Sequence, residues 1–132
     1  MMKKVISIFL LSAFILSGCI PQNSKPVQPS QLVFKHVWFD FGKVTVGDQL
    51  THTFEFTVEG GPVKITNIFA GCGCTTAKLE KHEYVAGETG EIIARVDTSD
   101  FAGLIYKEIT VSFESSELGE VDLALVANVS KK

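Results

Sequence analysis

The stretch Thr53-Phe54-Glu55-Phe56-Thr57-Val58 alternates strictly between polar and apolar side chains. Because successive side chains of an extended strand point to opposite faces of the sheet, this alternation predicts a strand with one buried face and one solvated face. The stretch Val121-Asp122-Leu123-Ala124-Leu125-Val126-Ala127 largely repeats the pattern. Both stretches therefore indicate half-buried strands of an antiparallel sheet.

Four more stretches between Leu32 and Val129 have a similar character and are separated by turn-like, glycine-containing sequences. No stretch repeats apolar residues at helical spacing over the length of a helix. Six or seven short strands in about 98 residues predict an all-β domain, an immunoglobulin-like two-sheet antiparallel β-sandwich, with a barrel as the alternative. The four additional strands are predicted at Val33–Phe41, Val63–Ala70, Ile92–Asp97 and Ile105–Phe113.

The apolar positions of these stretches form the predicted core of the domain. Burial of one large apolar side chain stabilises a fold by about 1.5 to 3 kcal/mol, so a set of this size supports folding without a cross-link. Trp38 is predicted to be a core or edge aromatic, since the Cys, Trp and Cys pattern of antibody domains is absent. The predicted inward-facing residues are Val37, Phe39, Phe54, Phe56, Val58, Ile65, Ile92, Val96, Ile109, Val111, Phe113, Val121, Leu123 and Leu125.

The first 18 residues have the layout of a secretory signal peptide, with a cationic start, an apolar run from Val5 to Leu16 and a small pair before Cys19. The apolar run reaches only about 18 Å as a helix, which is too short for a hydrocarbon core of about 30 Å. Leu16-Ser17-Gly18-Cys19 resembles the lipobox of bacterial lipoproteins. The resemblance implies cleavage before Cys19 and lipidation of that cysteine, whereas the alternative is an ordinary cleavage site beside an unmodified cysteine.

Composition predicts four segments, and the resemblance to a lipobox implies a location in the cell envelope. They are a signal peptide (1–18), a tether of lipidated Cys19 and Pro-, Gln- and Ser-rich sequence (19–31), an immunoglobulin-like domain (32–130) and a tail (131–132).

Removal of residues 1–18 leaves 10 basic and 15 acidic side chains, a net charge of −5. Such a chain has no electrostatic basis for binding nucleic acid, and its acyl chains would supply the affinity for a bacterial membrane. We expect the domain to face the periplasm or the exterior.

The remaining cysteines, Cys72 and Cys74, form a second notable feature, because an even pair in an oxidising compartment can form a disulfide. In an extended strand their Cα atoms would lie nearly 7 Å apart, which is beyond the comfortable range of a disulfide. Gly71 and Gly73 permit the backbone to kink and close this distance. The sequence therefore allows a small local ring.

Three interpretations of Cys72 and Cys74 remain open. The pair is a structural disulfide or recognition loop, a thiol-disulfide exchange site, or a site for Cu(I), which soft thiolates select. A structural zinc site would need four ligands. Nothing in the spacing brings the three histidines to the pair, and no thioredoxin-like pattern accompanies it. Those histidines are His36, His52 and His82.

The order of several short blocks resembles the bacterial family called domain of unknown function 1573. This resemblance implies an immunoglobulin-like fold related to hydin-type domains, in secreted or lipid-anchored proteins with no assigned reaction. Ala86 stands where the family usually has proline before Gly-Glu. The blocks are Phe39-Asp40-Phe41-Gly42, His52-Thr53-Phe54-Glu55-Phe56, Gly71-Cys72-Gly73-Cys74-Thr75 and Ala86-Gly87-Glu88-Thr89-Gly90-Glu91-Ile92.

The sequence favours a membrane-anchored protein that acts mainly as a protein-binding or structural module. It contains no glycine-rich phosphate loop, no Gly-x-Ser-x-Gly elbow and no His-Glu-x-x-His motif, so no catalytic residue is assigned. We expect an envelope protein as partner, bound through edge-strand pairing or a loop contact around Cys72–Thr76. The alternative function is copper handling or thiol-disulfide exchange at Cys72 and Cys74.

Overall fold

The computed structural model describes residues 29–131, which form two β-sheets packed face to face. The predicted all-β sandwich is confirmed. The predicted signal peptide, the lipidation site Cys19, most of the predicted tether and Lys132 lie outside the described residues. Within residues 29–131, no helix is long and apolar enough to cross a membrane.

Nine strands make up the two sheets within this range. One sheet has four strands in the order β1-β3-β7-β5, and the other has five strands in the order β2-β9-β8-β4-β6. Each connection from β1 to β8 therefore passes from one sheet to the other, and only β8 and β9 are consecutive within a sheet. The strands are β1 (Gln31–Phe34), β2 (Trp38–Thr45), β3 (Gln49–Glu59), β4 (Val63–Ala70), β5 (Thr75–Leu79), β6 (Glu83–Tyr84), β7 (Thr89–Asp97), β8 (Gly103–Glu114) and β9 (Leu118–Ser130).

The core consists of the inner faces of the two sheets. On β3, Phe54 and Phe56 are each 1% exposed, and the polar residues between the apolar ones face solvent. Every buried hydrophobic residue of the described chain lies between Leu32 and Val129, so the domain carries its own core. The predicted core residues that are confirmed as buried are Phe54, Phe56, Val58, Ile65, Ile92, Val96, Ile109, Val111, Phe113, Leu123 and Leu125, and Val121 is partly buried against them.

The prediction of a purely antiparallel sandwich is wrong for one strand pair. β2 runs parallel to β9, with Trp38 beside Ala124 and Thr45 beside Ser130. Antiparallel neighbours can be joined by a short hairpin, whereas a parallel pair needs a long connection. Because β2 and β9 lie near opposite ends of the domain sequence, no hairpin sets their relative direction.

The predicted single strand Val33–Phe41 is also wrong, since it divides into β1 in one sheet and β2 in the other. Val37 lies in the crossing between them and is 45% exposed, so it is not a core residue. Phe39 is 37% exposed because β2 is an edge strand. Trp38, on the same edge strand, is 61% exposed, which confirms the edge interpretation. The short strands β5 and β6 were absent from the sequence prediction.

A buried threonine ties two of the crossings together. Thr98 is fully buried in the connection between β7 and β8. Its hydroxyl lies 3.1 Å from the carbonyl oxygen of Thr45 and 2.9 Å from that of Asp48, in the connection between β2 and β3, and can donate to either. A buried polar group needs such partners, because an unpaired hydroxyl would cost about 1 to 3 kcal/mol.

The described chain begins at one end of the sandwich. The hydroxyl of Ser115, in the turn between β8 and β9, donates a hydrogen bond of 3.3 Å to the carbonyl oxygen of Ser30. Ser30 also lies against Gly61 in the turn between β3 and β4, where an added Cβ would come within 2.6 Å of its Oγ. β4 starts at this end with Val63 and runs away from it, so the residues after Ala70 lie at the opposite end.

The connection between β6 and β7 contains a tight turn. The backbone N–H of Glu88 donates to the carbonyl oxygen of Val85 at 3.1 Å, and Gly87 has a φ of 83°. These features define a type II turn with Ala86 at its second position and Gly87 at its third. Proline fits the second position of such a turn, because its fixed φ matches the required backbone.

We expect Ala86→Pro to raise the free energy of unfolding by about 0.4 to 1 kcal/mol, because it restricts the unfolded chain without disturbing the turn. Urea unfolding followed by circular dichroism measures the change. Gly87→Ala is the matched control and should lower stability, because its positive φ strains any residue with a Cβ. A loss of stability in Ala86→Pro would contradict the type II assignment.

One histidine lies between the two sheets, beside the edge strand β2. His52 occupies an inward position of β3, and its ring stacks on Phe39 of β2 with a centroid distance of 3.9 Å. Phe54 contacts the imidazole edge-on at 4.7 Å. Burial lowers the pKa of His52 below its usual value, and the nearby charge of His36 lowers it further. The folded domain therefore favours the neutral imidazole.

We expect the domain to lose stability as the pH falls from about 7.5 to 5.5, in part through His52. Above about pH 6.5 this imidazole is neutral in both states. Below that pH the unfolded chain binds a proton before the folded chain does, so the free energy of unfolding declines. Urea unfolding at several pH values should show a smaller decline for His52→Phe than for the wild type. His82→Gln, which alters an exposed histidine, serves as the control. If the free energy of unfolding declined as much in His52→Phe as in the wild type, the assignment of this pH dependence to His52 would be refuted.

Candidate functional site

The Cys72-Gly73-Cys74 sequence lies where the chain passes from one sheet to the other. Ala70, the last residue of β4, pairs with Ile109 of β8 in the five-stranded sheet. Thr75, the first residue of β5, pairs with Val96 of β7 in the four-stranded sheet. Residues 71–74 therefore make the crossing at one end of the sandwich, and only four residues are available for it.

Cys72 and Cys74 are joined by a disulfide, and their Cα atoms lie 5.2 Å apart. This distance is shorter than the nearly 7 Å of an extended strand, so the backbone kinks between them as the sequence suggested. The backbone N–H of Thr75 donates to the carbonyl oxygen of Cys72 at 3.0 Å, and that of Asp97 donates to the carbonyl oxygen of Cys74 at 2.9 Å. These bonds fix the crossing to both its own turn and β7.

The two sulfur atoms have unequal surroundings. The Sγ of Cys72 accepts a hydrogen bond of 3.2 Å from the backbone N–H of Cys74. The ammonium nitrogen of Lys107 lies 4.0 Å from the same sulfur. The Sγ of Cys74 has the hydroxyl of Thr75 at 3.5 Å. Cys72 is therefore the sulfur with a cationic neighbour, and a cation of this kind stabilises a thiolate.

Lys107 is a functional candidate that the sequence analysis missed. It lies between Ile105 and Ile109 among the inward positions of β8, both of which are buried, and is itself half-buried. Its ammonium lies 3.8 Å from the centroid of the Phe101 ring, which holds it at the end of the core by a cation–π contact. A lysine among alternating inward residues was the signal in the sequence that could have identified it.

A shallow cavity of about 350 Å³ opens beside the disulfide. Both cysteines are half-buried, but Cys72 lines this cavity and Cys74 does not, so Cys72 is the sulfur that faces the opening. Phe69 and Tyr106 form apolar walls and are 59% and 62% exposed. A larger depression of about 1310 Å³ lies at the opposite end, around Gly61 and Ser115, but no cysteine or histidine lines it. The smaller cavity is therefore the better candidate site.

The three histidines lie away from the disulfide cavity, and none of them lines it. The Nδ1 of His82 lies 3.0 Å from the carbonyl oxygen of Ile65, and His52 packs among aromatic rings. No group of three or more Cys, His, Asp or Glu side chains in residues 29–131 is arranged to hold a metal ion. The geometry therefore adds no ligand to Cys72 and Cys74, and copper binding by this pair stays a prediction.

A protein-family model matches most of the chain. The family model described as "Protein of unknown function (DUF1573)" matches residues 32–129. The chain belongs to this family. The match runs from Leu32 in β1 to Val129 in β9 and includes the disulfide crossing. No curated protein sequence matches this DUF1573 chain.

Solved structures share the fold of this DUF1573 domain at low identity. A protein of unknown function from Porphyromonas gingivalis W83 has a TM-score of 0.63 at 16% identity, covering 76% of this chain and 46% of that one. The VesB protease of Vibrio cholerae has a TM-score of 0.63 at 10% identity, covering 76% and 32%. A PapD-like domain of human CEP192 has a TM-score of 0.57 at 8% identity, covering 85% and 92%. The chain thus spans less than half of the first two proteins, and the likeness shows the β-sandwich alone.

We expect the Cys72–Cys74 disulfide to contribute little to stability. The entropy that a disulfide removes from the unfolded chain grows with loop length, and a loop this short gives about 1.5 kcal/mol. The double variant Cys72→Ser/Cys74→Ser should therefore lose about 1.5 kcal/mol or less in urea unfolding. Wild-type protein unfolded in the presence of a reductant is the matched control and should show a similar loss. A loss above about 4 kcal/mol would indicate a bridge that is essential to the fold.

Proposed function

We propose that this DUF1573 protein is a lipid-anchored protein of the bacterial cell envelope whose β-sandwich acts mainly by binding another protein. The anchor would be Cys19, since Leu16-Ser17-Gly18-Cys19 resembles a lipobox and follows a signal-peptide-like run. The acidic balance of the chain after residue 18 argues against nucleic acid as the partner. A partner protein in the envelope is consistent with both features.

The observation that carries the binding proposal is an exposed apolar surface on the outer side of the five-stranded sheet. We call it the aromatic face and define it by Trp38, Phe69, Leu104 and Tyr106. All four side chains are more than half exposed. Large exposed apolar patches on soluble domains mark interaction sites, and Trp and Tyr are enriched among the residues that dominate binding energy.

The strand register places these residues on one surface. Trp38 of β2 lies beside Ala124 of β9, which lies beside Glu108 of β8. Because alternate residues of a strand share a face, Glu108 places Tyr106 and Leu104 on the same side as Trp38. The next outward residue of β8 after Glu108 is Thr110, and Phe69 of β4 pairs with it. Phe69 therefore joins the surface at the end opposite Trp38.

The outer side of the four-stranded sheet is different and provides an internal comparison. Of its two central strands, β3 presents Thr51, Thr53 and Glu55, and β7 presents Glu91, Ile93 and Arg95, among which Ile93, 39% exposed, is the one large apolar residue. This mixed polar surface is typical of a solvated sheet. The contrast between the two outer sides supports a binding role for the aromatic face.

The loop contact considered from the sequence adjoins this surface. Phe69 and Tyr106 belong to the aromatic face and also form walls of the disulfide cavity. β5, which follows Cys74, is an edge strand of the four-stranded sheet and can accept an additional strand along its free side. A partner on the aromatic face would therefore also meet the crossing at residues 71–74.

The experiment places a photo-cross-linking amino acid at position 106, on the aromatic face, in bacterial cells that make the full chain. We expect a discrete adduct with one envelope protein and a severalfold lower yield when Trp38→Ser is added. The same amino acid at position 53, on the polar side, is the matched control and should give no such adduct. A separate arm with Cys19→Ser should move the protein from the membrane fraction to the soluble fraction.

Equal adducts from positions 53 and 106, or no adduct from either, would overturn the binding proposal. Membrane association that survives Cys19→Ser would overturn the anchoring proposal. The two readouts are separate, so either part of the proposal can fail alone.

A further inference from the structure

We propose that Cys72 and Cys74 form a thiol-disulfide exchange centre that oxidises a pair of reduced cysteines in a polypeptide segment, with Cys72 as the sulfur that is attacked and Lys107 as the cation that stabilises its thiolate. This activity goes beyond the proposed binding function and does not depend on it. The inference rests on three features of the described residues: the shortness of the ring, the unequal surroundings of the two sulfurs, and access to one of them.

The short ring makes the disulfide easier to exchange than a structural bridge. A structural disulfide usually closes a long loop. It stabilises the fold because it lowers the conformational entropy of the unfolded chain, and reduction would lose that stabilisation. Cys72 and Cys74 are separated by one residue, and the buried core already holds the two sheets together. Opening the ring therefore frees little chain and removes little stability. A half-exposed bridge of this kind is a better candidate for exchange than for reinforcement.

The surroundings of Cys72 favour the reduced form of the pair. When the bridge opens, the ammonium of Lys107 and the backbone N–H of Cys74 are positioned to stabilise a thiolate on Cys72. Stabilising the reduced form of a dithiol makes its disulfide form a stronger oxidant. Lys107 is held near the sulfur by the ring of Phe101, so the charge does not depend on a freely moving side chain.

Access determines which sulfur reacts and what kind of substrate fits. Cys72 lines the open cavity between Phe69 and Tyr106, whereas Cys74 does not line it. An incoming cysteine thiolate would reach Cys72 through this opening, which Glu108 also lines, and the positive charge of Lys107 beside the sulfur would attract it. The apolar walls suit a polypeptide segment with apolar side chains beside its cysteine. The substrate class is therefore an unfolded or flexible segment that carries two reduced cysteines.

The exchange balances in two steps. The first substrate thiolate attacks the Sγ of Cys72, the Cys72–Cys74 bond breaks, and its electron pair passes to the Sγ of Cys74, which takes up a proton. The hydroxyl of Thr75 is placed to donate a hydrogen bond to this leaving sulfur. The second substrate thiolate then attacks the substrate sulfur of the mixed disulfide, and Cys72 leaves as a thiolate facing Lys107. The substrate dithiol loses two electrons and two protons. The protein gains both electrons and one of the protons, on Cys74, and the other proton passes to the solvent because Cys72 remains a thiolate.

The test is a single-turnover reaction of the chain from residue 19 to Lys132, with Cys19→Ser, prepared as the disulfide. The probe is a synthetic peptide with two reduced cysteines and flanking leucines. The comparator is a peptide of residues 70–76 oxidised between its own two cysteines, which has the ring but not the fold. We expect the protein to oxidise the probe at least about tenfold faster than the comparator does.

Variants at Lys107 separate its charge from a structural role. Lys107→Met should slow the reaction about threefold to tenfold, and Lys107→Arg should restore most of the rate. Lys78→Met, which changes an exposed lysine of β5, is the matched control and should react like the wild type. In the reduced protein, the rate of Cys72 alkylation should rise at lower pH in the wild type than in Lys107→Met, and the two rates should converge at high pH.

Trapping compares the two cysteines and shows which one forms the mixed disulfide more readily. Cys74→Ser should accumulate a mixed disulfide with oxidised glutathione at Cys72, and Cys72→Ser should form one at Cys74 at least about tenfold more slowly. The proposal is overturned by equal oxidation rates for the protein and the comparator peptide, by wild-type behaviour of Lys107→Met, or by faster trapping at Cys74. These readouts use a peptide probe, so they stand whatever cross-linking shows about an envelope partner.

Discussion

The fold depends on burying the inner faces of two sheets that the chain visits in turn. Consecutive strands from β1 to β8 alternate between the sheets, so every strand pair except β8–β9 joins strands that are not consecutive in the sequence. Within each sheet, one core ring lies so close over the neighbouring strand that the residue paired with it must be glycine. A Cβ added at Gly90 would lie 2.3 Å from the ring of Phe56, and one at Gly119 would lie 2.2 Å from the ring of Phe113. Each connection between the sheets must cross this closely packed core without displacing its side chains.

Strict alternation made the main strands predictable, and the same signal produced the main error. Phe54, Phe56 and Val58 were identified as buried because their side chains alternate with polar ones. The alternation of Val33–Phe41 also continues through the crossing between β1 and β2, where no glycine or proline marks a turn. Two strands in different sheets consequently resembled one. The parallel pairing of β2 with β9 could not be predicted, because it is set by the path of the whole chain and not by a local turn.

The sequence identified the two cysteines of the candidate site but not the lysine beside them. Cys72 and Cys74 stand out by their spacing, and the glycines beside them signal a kink. Their environment comes from β8, whose residues are more than thirty positions away, and only the pairing of the strands brings Lys107 to Cys72. A chemical pair can thus be found from local sequence, whereas the charge that would control it depends on tertiary structure.

The ends of the sandwich differ in how they would face a membrane. The described chain starts beside Gly61 and Ser115, and the disulfide lies at the far end of β4. Eight residues of extended strand separate the two ends by about 25 Å. A lipid attached upstream of this start would leave Cys72 at the membrane-distal tip of the domain. The disulfide would then lie at the end of the domain opposite its attachment to the proposed tether.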